Sequence, residues 1–66
     1  MNTYYIAEKV EHGKWRPMGF GAHTNRRDAI SCAAFPFNVH TRVARYCEDG
    51  TIQVIYERGK DGKRIV

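Results

Sequence analysis

A chain of 66 residues can close on one small domain, with no room for a separate substrate domain or a deep small-molecule cleft, which argues against a self-sufficient enzyme. Eleven Lys and Arg against seven Asp and Glu give a formal charge of +4, and seven of the eleven cations are Arg, whose planar fork suits carboxylates, phosphates and aromatic faces. That bias points towards an anionic partner, a nucleic acid or an acidic protein surface; the plainer reading beside it is that a small domain carries a few charges for solubility.

The first predicted element is the strand "TYYIAEKV", rich in aromatic and branched residues. "EHGK" is a turn centred on Gly13. "WRPMGF" reads as a second strand, with Pro17 placing it at a sheet edge or a bulge. Gly19 and Gly21 loosen the chain after it. In "HTNRRDAISCAAFPF" the period changes to that of a helix. Thr24 or Asn25 is the N-cap, Asn25 and Asp28 stand as in a capping box, and Ile30, Ala33, Ala34 and Phe37 share one helical face. Pro36 ends that helix at or near Phe35.

Two strands follow around Asp49-Gly50, read as a two-residue hairpin turn. That turn sets Cys47 opposite Ile52, Arg45 opposite Val54 and Val43 opposite Tyr56 on one face, assigned to the core. Arg42 with Glu57, Ala44 with Ile55 and Tyr46 with Gln53 form the other face, assigned to solvent. Asp61-Gly62 turns the chain again and leaves "KRIV" as a short terminal strand. The order β-β-α-β-β predicts a single α+β domain over residues 1–66, an antiparallel sheet of four to five strands with one helix on one face.

Candidate chemistry is sparse. Cys32, His40, Cys47 and His23 are zinc-type ligands without zinc-type spacing, so no metal or other cofactor is expected. Cys32 is placed on the helix away from the core and Cys47 on the core face, a geometry that argues against a disulfide between them. Ser31 lacks a nucleophile elbow, and no carboxylate pairs with a base, so no catalytic residue is expected. Two cysteines fall short of a secreted disulfide framework, "MNTYYIAEKV" lacks the pattern of a secretory leader, and no segment reaches the length of a membrane span. A cytoplasmic protein with reduced thiols and no membrane partner is the expectation.

The stretch "RYCEDGTIQVIYERGKDG" interleaves arginines with tyrosines, the residue types that concentrate binding energy at interfaces. Tyr46, Arg58, Lys60, Lys63 and Arg64 are the expected partner-binding residues, with Arg42 added although a cross-strand pair with Glu57 accounts for it. Arg26 and Arg27 join them, because cations in a first helical turn oppose the helix dipole and suggest service to a partner.

"YYIAEKV", a hairpin, "AISCAA", "TRVARYCEDGTIQVIY" and a terminal "KDGKR" together resemble a type I-F anti-CRISPR protein. In layout the chain also resembles a small phage inhibitor of bacterial RNA polymerase. The resemblance implies a non-enzymatic, phage or mobile-element protein that inhibits a host nucleic-acid-handling complex in the host cytoplasm. Trp15, Pro17 and Phe35-Pro36-Phe37 depart from the pattern. A rival resemblance, carried by "IAEKVEHGKWRPMGFGAHTNRRDA", is to the arm-binding domains of phage integrases. It implies direct DNA or RNA binding, although those domains have three strands before the helix and two are counted here.

Overall fold

The computed structural model describes residues 3–66. Its elements are β1 (Tyr4–Glu11), β2 (Lys14–His23), α1 (Arg26–Ala34), β3 (Thr41–Tyr46) and β4 (Ile52–Arg58). The strands form one antiparallel sheet in the order β2-β1-β3-β4, and α1 packs on one face of it. The chain is thus the two-layer α+β domain that the order of elements implies. The terminal "KRIV" contributes a single bridge, Arg64 to Arg58, rather than a strand.

Pro17 lies on the edge strand β2, where a missing N–H does no harm. Pairing runs Ile6 to Ala22 and then Glu8 to Pro17, so residues 18–21 lie against the single residue Ala7. Gly19 (φ 69°) and Gly21 (φ 90°) absorb that excess in the left-handed region. Gly19 also lets the strand approach the helix, since a Cβ there would stand 3.0 Å from Cys32 Sγ.

Asn25 is the N-cap of α1: its Oδ1 accepts from the N–H of Arg27 at 2.7 Å and of Asp28 at 3.4 Å. The helix stops at Phe35, immediately before Pro36. Its buried residues are Ala29 and Ala33, with Ile30 and Cys32 packed beside them. This corrects the expected stripe: Ala34 is exposed, and Phe37 lies beyond the helix. It also corrects Cys32, which packs against the core instead of facing away. Small side chains on both layers, Ala29 and Ala33 over Ala7 and Val43, bring helix and sheet close, and Tyr56 is the largest buried side chain among the described residues.

The C-terminal end of α1 is held from the sheet. Thr41, fully buried on β3, donates its hydroxyl to the Ala33 carbonyl at 2.8 Å. Arg58 on β4 donates one Nη to the Ala34 carbonyl at 2.8 Å and the other to the Pro36 carbonyl. These bonds occupy carbonyls that the helix end leaves without intrahelical partners.

The last hairpin differs from the expected one by two compensating residues. The Gly50 N–H bonds the Cys47 carbonyl, the Cys47 N–H bonds the Thr51 carbonyl, and Gly50 has φ 90°. The loop is therefore three residues, 48–50, closing with a left-handed glycine. Next to it Tyr46 faces Ile52, Arg45 faces Gln53 and Ala44 faces Val54. A bulge at Ile55 then adds one residue to β4 and restores the expected Val43–Tyr56 and Arg42–Glu57 pairs. Between loop and bulge the faces are exchanged. Ile52 and Val54 leave the core for the uncovered face, Gln53 moves to the helix side, and Ile55 packs on the core. Cys47 lies in the turn, half-buried, not in the core; both cysteines are free thiols.

Candidate partner-binding face

Among the described residues nothing forms a second layer over the face opposite α1. Strand alternation and the observed register place three cross-strand rows there: Tyr4, Tyr46 and Ile52; Ile6, Ala44 and Val54; Glu8, Arg42 and Glu57. The first two rows are largely apolar and the third is charged. Tyr4 is 40% exposed and Ile52 57%, whereas Ala44 is fully buried between its larger neighbours.

The polar groups of this face are joined into one strip. The Tyr4 and Tyr46 rings stack with centroids 5.3 Å apart and planes within 5°. The Tyr46 hydroxyl donates to Glu8 Oε2 at 3.3 Å, and Arg42 Nε donates to Glu8 Oε1 at 2.7 Å. The Arg42 guanidinium carbon lies 4.2 Å over the Trp15 ring, and Trp15 meets His40 edge-on at 5.0 Å. His40 Nε2 stands 2.6 Å from Glu57 Oε2. Glu8 is only 6% exposed, and its two bonds offset the cost of burying a carboxylate. Burial, then the adjacent Glu8 carboxylate and its bond, hold the Tyr46 phenol above its ordinary value of 10, with Arg42 opposing.

Two of the expected partner-binding residues, Tyr46 and Arg42, meet on this face. Arg42 stands opposite Glu57 but takes Glu8 as its partner, and Glu57 turns to His40. Gln53 and Ile55 do not belong here. Arg58 lies on the helix side and is committed to the Ala34 carbonyl of α1 and the Pro36 carbonyl just beyond it, so it serves the fold. Arg64 reaches back over the Tyr56 ring at 4.9 Å, while Lys60 and Lys63 are exposed on the terminal turn. Arg26 and Arg27 border a shallow hollow with Asn25, Ile30 and Ser31 at the start of α1. The eight residues therefore occupy three separate surfaces. Tyr4, Glu8, Trp15 and His40 complete the strip, and none of them is among the expected partner-binding residues. The period-two run Tyr4, Ile6, Glu8, Val10 is the pattern that places a polar residue amid apolar ones on one face.

Arg58→Met tests the assignment to the fold. The substitution keeps an apolar stem and removes both charged donors, so stability should drop by about 1.5–3 kcal/mol in urea melts. An unchanged melt would return Arg58 to the surface.

Among the described residues no group of three or more His, Cys, Asp and Glu side chains converges as a metal site would require. No described helix is long and apolar enough to cross a membrane. No protein-family model, curated sequence or solved structure matches the chain.

Proposed function

We propose that this chain is a non-enzymatic binding protein whose working surface is the uncovered sheet face, docked on a protein component of a host nucleic-acid-handling complex. The observation that carries this reading is the pre-formed strip of Tyr4, Tyr46, Glu8, Arg42 and Trp15 beside exposed Ile52. Stacked and hydrogen-bonded aromatics lose little freedom on binding, and an apolar rim beside them supplies area to bury. The choice of target class follows the resemblance of the chain's element order to small phage inhibitors.

Charge favours protein over nucleic acid at this face. Arg42 is already paired with Glu8, and Glu57 stands in the same row, so a phosphate backbone meets two carboxylates and, among the described residues, no spare Lys or Arg there. Two strands, not three, precede the helix, which separates the fold from the integrase-like layout.

The test is capture from a host lysate with and without nuclease, using the parent, Ile52→Asp and Tyr4→Ser. Both substituted side chains are exposed, so both variants should fold. Capture of a defined complex should survive nuclease and weaken by roughly tenfold or more in either variant. Capture that nuclease abolishes, together with salt-sensitive binding to labelled duplex or single strand, would replace this reading with direct nucleic-acid binding.

A further inference from the structure

A second surface stands apart from the uncovered face. Phe35 and Phe37 flank Pro36 in the connection from α1 to β3 and are 83% and 87% exposed. Two aromatic side chains so fully in water are costly in a domain whose own core is mostly alanine, so this tip has the character of a contact surface. Asn38 (φ 58°) turns the chain back towards β3 just beyond it.

Part of the tip's backbone is bonded within the protein. The Phe35 N–H donates to the Cys32 carbonyl, Pro36 has no N–H, and Arg58 occupies the carbonyls of both Ala34 and Pro36. These groups keep their partners, whereas among the described residues the Phe35 carbonyl and the Phe37 N–H find none, which suits a headgroup boundary where water and phosphate stay within reach and not the dry acyl interior. Arg58 bonds the tip through the Pro36 carbonyl, and the terminal turn that follows it in the chain carries Lys60, Lys63 and Arg64, with Asp61 as its one acid. Exposed Ile65 and Val66 extend the apolar surface along that turn. A second copy of the chain would bring like charges together here.

We propose that the Phe35-Pro36-Phe37 tip and the basic terminal turn bind an anionic lipid surface, with the two rings at the headgroup–acyl boundary and Lys60, Lys63 and Arg64 against the phosphates. Apolar insertion and cationic attraction then act together, neither being sufficient alone. This contact is peripheral and does not depend on the uncovered sheet face.

The experiment is co-sedimentation of the parent chain with vesicles of phosphatidylcholine alone and of phosphatidylcholine mixed with phosphatidylserine. Binding should be confined to the mixed vesicles and should fall as salt is raised. Phe37→Ser should remove most of it, and Lys60→Glu with Lys63→Glu should weaken it by at least roughly fivefold per residue. Ile52→Asp, on the other face, should bind vesicles like the parent, so failure here and failure of the sheet-face reading are separable. Circular dichroism confirms that each variant is folded. Absence of binding to the mixed vesicles at low salt overturns the proposal, as does equal binding by Phe37→Ser; the tip would then be assigned to an acidic, apolar protein groove.

Discussion

Tyr56→Ala is expected to unfold most of the population at room temperature. Tyr56 is 6% exposed and, among the described residues, is the one large side chain in the buried cluster with Ala7, Ala29, Ala33 and Val43, with Tyr5, Met18, Ile30 and Ile55 partly buried against it. Removing a buried aromatic costs about 3–5 kcal/mol, the transfer term plus the cavity left behind. A domain of this length has only about 3–10 kcal/mol to lose. The alanines cannot move in to fill the space, because helix and sheet are already in close contact through them. The loss also removes the ring beneath the Arg64 guanidinium. Tyr56→Phe keeps the ring and should stay close to the parent. Urea melts followed by circular dichroism separate the two. A Tyr56→Ala variant that melts within about 1 kcal/mol of the parent would show that the core is not organised around this ring.

Some of this architecture is legible residue by residue. Asn25 as a cap, Pro36 as a stop and Pro17 as an edge marker each act through local chemistry, which a sequence carries in full. The sheet register is not local. Asp49-Gly50 has the composition of a two-residue turn, yet Glu48 joins the loop, and only the bulge at Ile55 brings Val43 and Tyr56 back opposite one another. A one-residue slip exchanges faces, so Ile52 and Val54 were bound to be placed on the wrong side by turn composition alone. The helix stripe misleads for a related reason. Phe37 continues the periodicity on paper, but Pro36 has already ended the helix, and the ring projects into solvent. Charge is the least legible level. Arg42 and Arg58 look alike in sequence; one is locked on Glu8 over Trp15, and the other closes the end of α1. Only the order β2-β1-β3-β4, which sets β1 beside β3, brings Glu8 within reach of Arg42 and Tyr46.

Glu8→Ala is expected to be the most damaging substitution on the uncovered face, at about 2–3 kcal/mol. It removes the carboxylate shared by Arg42 and Tyr46 and leaves a mostly buried guanidinium without its anion. Breaking one side of a buried pair costs more than the pair contributes, about 3–5 kcal/mol when both groups are fully buried, and the residual exposure of Arg42 brings the loss below that. Glu8→Gln retains an acceptor and should lose less. The same contact gives a spectroscopic readout. Glu8 raises the Tyr46 phenol both by its charge and by its hydrogen bond, so in Glu8→Gln tyrosinate absorbance should show Tyr46 titrating closer to its ordinary value of 10. Burial, the largest cause, remains and keeps it above that value. The sign for stability follows. A phenol raised in the folded state contributes stability that is complete below the unfolded value of 10 and is lost as pH rises through the folded value. The parent should therefore lose urea resistance on the alkaline side more steeply than Tyr46→Phe, which has no proton to release there. The difference between those two curves isolates Tyr46 from the other alkaline titrations. Identical alkaline slopes in the parent and Tyr46→Phe would mean that Glu8 and Tyr46 are not coupled in solution, and the strip would then lack the rigidity on which its use as a docking surface depends.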